Sequence, residues 1–408
     1  MTSIRLGHFE EAHQESLSQT PAEETMVPKP KLPGLDAMRF YAAAMIVLFH
    51  LVHLTKLEIP LYLHFIRTQF GIGVPFFYMV SAFSLMVGYF GRLENKEQLK
   101  DFYLRRFWRI APLFYFIIIV SLLIQYFFYN IEHPFSEVLA SVFFVFNIIP
   151  NYVTGFVWAS WSIGVEMIFY LVFPVLLVFV GGILRAIYFW VIAIYVGIFW
   201  ISAFSDVTPA IKAFRDQSIF AHFHYFAVGL VSYFIYESIR CKTKPALSQN
   251  IGFWLGQIGI LLLVVMMFWP ITIIQYTGVS IYPVLRGIPL ALMIIGVSLY
   301  STPFLVGKSI VAIGKTSFSM YLLHPIVIFG LQAAGIYKYV STAVVDKGLA
   351  FLICAIITFS VLIPLANLSY RLIERPGMRM VDVPLTLRGL VETFFNNLLA
   401  EIRRAKGN

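Results

Sequence analysis

An all-α, polytopic membrane fold is what this sequence predicts: a helix bundle of about ten transmembrane helices with both termini in the cytoplasm. Three observations predict it. Of the 408 residues, 59% are hydrophobic and 12% charged, and the mean hydropathy is +0.81, a composition that a soluble domain of this size cannot present to water. The apolar residues fall into runs of roughly 20, the length that crosses ~30 Å of hydrocarbon. Lys and Arg gather in short clusters between those runs, as the positive-inside rule produces. The same distribution accounts for the formal net charge of +9, so no nucleic-acid partner is expected. The two cysteines, Cys241 and Cys354, are too few for a disulfide framework or a thiolate metal site, and no metal is expected.

Residues 1–33 are polar and rich in Glu, Ser and Pro, which predicts a disordered cytoplasmic tail rather than a signal peptide or a folded domain. The membrane domain is expected over 34–376 and a second cytoplasmic tail over 377–408. Spans are predicted at about 36–55, 70–91, 110–130, 162–181, 184–204, 219–238, 252–271, 284–301, 316–336 and 348–371. The loop carrying Arg92, Lys96, Lys100, Arg105, Arg106 and Arg109 sets its side of the bundle as cytoplasmic. The apolar stretch 137–149 is too short to cross comfortably. Counting it as a span would throw the cluster from Arg240 to Lys244 outside, so it is expected within a non-cytoplasmic loop, 131–161, lying in the interface or re-entering the protein. There is no fixed-period repeat. No GxxxxGK[ST] loop, GxSxG elbow or HExxH helix occurs, which disfavours an ATPase, a serine hydrolase of the usual soluble kind and a zinc protease.

The first span carries two ionisable residues that need a reason to be there. Arg39 stands at its start and His50 deep inside, where a charged residue costs roughly 2.5–3.5 kcal/mol. At ~100° per residue the i, i+11 spacing returns to nearly the same face, so both point into one interior about 16 Å apart. Glu166 is the acidic residue inside a predicted span, about one turn from the outer face, with Ser162 on its own side at i−4. Counting ~1.5 Å per residue from each face leaves a vertical gap of only a few ångströms between Glu166 and His50, close enough for a carboxylate to orient an imidazole as in acyl-transfer triads. Where the third span begins, Arg105, Arg106 and Arg109 form a cationic group, and Arg106 and Arg109 at i, i+3 share a face. Guanidinium groups make planar bidentate contacts with phosphates, which suits a nucleotide diphosphate arriving from the cytoplasm. Ser317, Tyr321 and His324, at i, i+4, i+7, form one polar stripe expected to line the same interior, together with Trp161 and Ser162. His222 and His224 lie ~200° apart on a helix and cannot both face one site.

With these residues placed, the chain resembles the membrane acyltransferase family 3, whose bacterial members O-acylate surface polysaccharides, lipopolysaccharide O-antigens, peptidoglycan and nodulation factors. The resemblance runs from Gly34 to about Pro376. It rests on Leu35-Asp36 followed by Arg39 and His50, on the run Phe76 to Ser81, and on Tyr103 to Arg109, which fits an Arg-x-x-Arg loop. It rests further on Trp161-Ser162, on Glu166 with Phe169-Tyr170, and on the run from Ser317 to His324. Ala37, Phe40 and Ala82 stand where the family usually has glycines. The resemblance implies that His50 is the catalytic histidine, Arg39 its partner in the motif, Arg106 and Arg109 the acyl-CoA contact, and Glu166 an active-site carboxylate. The soluble hydrolase-like domain that some members append is not expected here, so the membrane core would complete the transfer.

The expected function is therefore an O-acyltransferase of the bacterial inner membrane, most often an acetyltransferase in this family. It would take acetyl-CoA as acyl donor and a glycan or lipid-linked saccharide as acceptor. The alternative is a proton-coupled transporter of a lipid-linked sugar or small anion, with His50, Glu166 and His324 as a relay.

Overall fold

A computed structural model describes residues 31–204, 208–268 and 282–382; nearly all of the two expected tails lies outside the described residues. Helix α1 (Pro33–Thr55) starts on Pro33, whose fixed φ suits a first turn, and stops at Lys56 in the left-handed conformation, φ 56°. A short helix α2 (His64–Gln69) leads into α3 (Gly73–Tyr89). Helix α4 (Lys96–Tyr129) opens with a reciprocal capping box between Asn95 and Gln98 and stops at left-handed Asn130. After α5 (Phe135–Val142) and two short turns come α6 (Trp161–Phe179), α7 (Ile183–Ala203), α8 (Pro209–Gln217) and α9 (Ile219–Lys242). The chain continues through α10 (Pro245–Phe268), α11 (Tyr282–Leu299), α12 (Lys308–Gly314), α13 (Ser317–Ala333), α14 (Ile336–Ala343) and α15 (Lys347–Ser369). A π-helical turn, Tyr370–Glu374, then joins α15 to α16 (Arg375–Arg379). No strand occurs among the described residues.

Eight helical stretches among the described residues are long and apolar enough to cross a membrane, and a ninth is added if one bent pair counts as a single span. Each expected span overlaps an observed helix, but two are not plain crossings. The stretch expected at 316–336 is α13, which counts as a span only together with the preceding α12, from which it is bent by 72°. The stretch expected at 284–301 is α11, whose apolar part, Val284–Leu299, is shorter than the rest. The segment 137–149 does not cross. It forms α5 and a turn that tucks Phe144, Phe146 and Asn147 into the protein, with the Phe144 ring stacked on Phe114 at 5.0 Å.

The centre of the bundle is aromatic. Phe226 of α9 stacks on Phe169 of α6 at 3.9 Å and on Tyr78 of α3 at 4.6 Å, and Phe76, Phe83 and Phe173 are fully buried around them. At the side, α10 and α11 meet backbone to backbone. Gly252 and Gly256 sit one turn apart on α10, and a Cβ on the facing Gly296 would lie 2.5 Å from the Gly256 nitrogen and 2.7 Å from its Cα. This is the small-xxx-small packing that membrane helices use, since lipid offers no hydrophobic drive for helices to associate. Gly296→Leu should therefore force the pair apart at about 1–3 kcal/mol, seen as a lower midpoint of thermal unfolding in detergent; an unchanged midpoint would contradict the close approach.

Candidate active site

The capping box at Asn95 sets the register of α4, so Arg106 and Arg109 emerge three residues apart on one side. There they meet Arg39 from α1, Ser81 and Ser84 from α3, Glu166 and Tyr170 from α6, and Ser317 and Tyr321 from α13. These side chains line one partly open cavity inside the bundle. The lining carries three guanidinium groups against one carboxylate, Glu166. An interior this cationic suits an anion.

Each charged group is held differently. Arg39 donates from Nη1 to Asp36 Oδ1 at 2.7 Å and from Nη2 to Ser84 Oγ at 2.7 Å. Ser84 passes its own hydrogen back to the Val80 carbonyl at 2.6 Å. Arg106 lies over the rings of Tyr89 and Tyr170, at 5.7 and 5.9 Å from their centroids, makes a long 3.5 Å contact to the Tyr89 hydroxyl, and keeps its buried Nε without a partner. Arg109 makes no hydrogen bond or ion pair among the described residues; its charged neighbours are Glu374, Glu166 and Asp36. Two of the three guanidiniums thus retain donor capacity toward the cavity. On the carboxylate, Oε1 of Glu166 accepts from Ser81 Oγ at 2.8 Å and from the Tyr170 hydroxyl. The Tyr321 hydroxyl donates to the Ala159 carbonyl at 2.9 Å and accepts from Ser162 at 2.6 Å. Ala159 adopts a positive φ of 63°, a backbone state uncommon for a side chain with a Cβ.

His50 and His324 form a pair of their own. Nδ1 of His50 lies 2.7 Å from Nε2 of His324, and the rings stack at 4.9 Å between centroids. His324 is fully buried, and its Nδ1 lies 2.5 Å from the Tyr321 carbonyl. Neither histidine lines the basic cavity. The connection runs through Tyr321, which lines the cavity and whose ring centroid is 5.7 Å from that of His324.

Several expectations are corrected by this geometry. Glu166 does not orient His50: its hydrogen-bonded oxygen is committed to Ser81 and Tyr170, and the imidazole's neighbour is His324. A vertical count along two helices gives depth and no lateral distance. His324 does not line the cavity with Tyr321 because it turns to His50. Arg105 stands apart from Arg106 and Arg109, exposed and paired with Asp101 at 2.7 Å, since its place in the turn faces away from the bundle. Trp161 also lies outside the lining and packs on the His222 ring at 5.1 Å. The expected members that do converge are Arg39, Arg106, Arg109, Ser162, Glu166, Ser317 and Tyr321. Ser81, Ser84 and Tyr170 were not picked out as site residues. Tyr170 had a legible signal, i+4 from Glu166; the serines had none beyond being small polar residues in an apolar run. Among the described residues no group of three or more His, Cys, Asp or Glu is arranged to hold a metal.

A family model described as an acyltransferase domain matches residues 32–367. The chain is also 29% identical over 161 residues to the peptidoglycan O-acetyltransferase OatA of Listeria monocytogenes, a stretch that takes in 36% of this chain and 24% of that protein. No solved structure matches it.

The hold on Glu166 is open to a double-mutant cycle. Tyr170→Phe removes a donor to a charged acceptor and should cost about 1.5–3 kcal/mol of unfolding free energy in mild detergent. The same change in a Glu166→Gln background should cost clearly less. Equal costs in the two backgrounds would show that the hydroxyl does not act through the carboxylate.

Proposed function

From the premise that this chain belongs to the membrane acyltransferase family 3, we propose that it is an O-acetyltransferase that moves an acetyl group from acetyl-CoA to a hydroxyl of a surface or lipid-linked glycan. It is a multi-pass membrane protein. The observation that carries the reading is the convergence of Arg39, Arg106 and Arg109 on one cavity, with Arg106 Nε and the Arg109 guanidinium unpaired. Guanidinium groups with free donors in a partly desolvated site are suited to phosphate oxygens. On this reading Arg106 and Arg109 hold the phosphates of the donor at the cytoplasmic side, and the flexible arm bearing the thioester extends inward past Tyr321 towards His50. Glu166, locked by Ser81 and Tyr170, offsets part of the cavity's positive charge and keeps the guanidiniums apart.

The chemistry needs one base. His50 takes the proton of the acceptor hydroxyl as that oxygen bonds to the thioester carbonyl carbon. The carbon–sulfur bond then breaks, and the departing thiolate recovers the proton from the imidazolium. The enzyme ends unchanged, with an acetyl ester and free thiol as products. The partial identity to a peptidoglycan O-acetyltransferase favours a cell-envelope glycan as acceptor, and the clustering of Lys and Arg between the apolar runs favours an inner-membrane topology with both termini cytoplasmic.

The reading is tested by reconstituting the protein with labelled acetyl-CoA and crude membrane glycan. Label should move to glycan with wild type and fall by about 10²–10⁴ with His50→Ala, the usual worth of a general base. Transfer by inserted His50→Ala at the wild-type rate would refute the assignment. Replacing Arg106 and Arg109 together by Ala should weaken CoA binding and flatten its dependence on ionic strength; unchanged affinity would count against the phosphate contact.

A further inference from the structure

The sequence around His324 reads Tyr321-Leu322-Leu323-His324-Pro325, and the proline decides more than helix geometry. Pro325 has no backbone N–H, so the Tyr321 carbonyl four residues earlier loses its intrahelical donor. A carbonyl left unpaired inside a membrane protein costs several kcal/mol. Nδ1 of His324 fills the place, 2.5 Å from that oxygen. A carbonyl only accepts, so Nδ1 of His324 bears the hydrogen. A neutral imidazole carries one N–H, which leaves Nε2 of His324 as an acceptor. No carboxylate is hydrogen-bonded to this ring among the described residues.

The same count then passes to the next ring. Nε2 of His324 accepts, so Nδ1 of His50, 2.7 Å away, donates. The bare lone pair of His50 is left on Nε2, which has no hydrogen-bond partner among the described residues. We propose that Pro325 and His324 are positioning residues that hold His50 as the Nδ1–H tautomer, so that its Nε2 is the base in acyl transfer. When Nε2 takes up the acceptor's proton, the Nδ1–H bond to His324 becomes charge-assisted and shortens. His324 thereby does for His50 what a carboxylate does in acyl-transfer triads, orienting the ring and fixing its tautomer, without placing a negative charge in the core. This agrees with Glu166 being engaged elsewhere.

The inference rests on the reading of His50 as base, and its test separates the two. Solid-state NMR of protein labelled with ¹⁵N-histidine in bilayers distinguishes protonated from bare ring nitrogens, and His50→Ala and His324→Gln assign the signals. The expected result is hydrogen on Nδ1 of both rings, opposite to the preference of a free histidine side chain in water; hydrogen on Nε2 of His50 overturns the inference. Pro325→Ala restores an N–H to the Tyr321 carbonyl, releases His324 and should give a mixture of His50 tautomers. In turnover, His324→Leu should lower kcat by on the order of 10² with KM within about twofold. His324→Gln, whose Oε1 can still accept from His50 Nδ1, should recover about tenfold of that loss. If His50→Ala is inactive while folded His324→Leu keeps the wild-type kcat, the positioning role fails and the base assignment stands. If His50→Ala is fully active, the base assignment itself fails.

Discussion

Everything in this bundle answers to one constraint: inside a membrane, a polar group must find its partner within the protein. The basic cavity is a collection of such solutions. Arg39 uses Asp36 and Ser84, Glu166 uses Ser81 and Tyr170, and Tyr321 uses Ala159 and Ser162. Glu374, nearly fully buried, accepts from Ser319. Against that background Arg106 and Arg109 stand out, because among the described residues they keep donors uncommitted beside neighbours that are hydrogen-bonded. On the proposed function, these are the donors that the phosphates of the acyl donor would take.

The irregular backbone of the fold is concentrated around the same place. The bend of 72° between α12 and α13 precedes Ser317 and Tyr321. The π turn at Tyr370–Glu374 brings a buried carboxylate, Glu374, among the charged neighbours of Arg109. Ala159, with its positive φ, aims the carbonyl that Tyr321 takes, and Pro325 frees the carbonyl that His324 takes. Non-helical backbone at membrane depth is tolerated where it is buried in protein or lines a cavity. Each of these departures creates a hydrogen-bonding opportunity that a continuous helix would have consumed.

Two regions divide the chemistry. On the proposed function the cavity offers positive charge, and the histidine pair beside it offers a base without a formal charge. Keeping them apart avoids a direct conflict, since a protonated imidazole placed among three guanidiniums would be disfavoured by like-charge repulsion. Tyr321 joins them, with its hydroxyl tied to α6 and the preceding loop, its ring beside His324 and its carbonyl bonded to that same histidine.

The sequence by itself determined the class of fold and the position of nearly every long helix, and it singled out most of the charged side chains that line the cavity. Apolar runs, charge clusters and the burial cost of Arg39, His50, Glu166, Arg106 and Arg109 are properties of single segments and can be read from one strand of text. Even the buried loop at 137–149 had a trace there, in a run too short to cross. Which group meets which was decided only by tertiary structure. Periodicity gives the face and depth of a residue along its own helix and nothing about the azimuth of its neighbours, so Glu166 and His50 shared a level without sharing a contact. The partner of His50 came from α13, 274 residues away in the chain, through a rotation between helices that no spacing rule encodes.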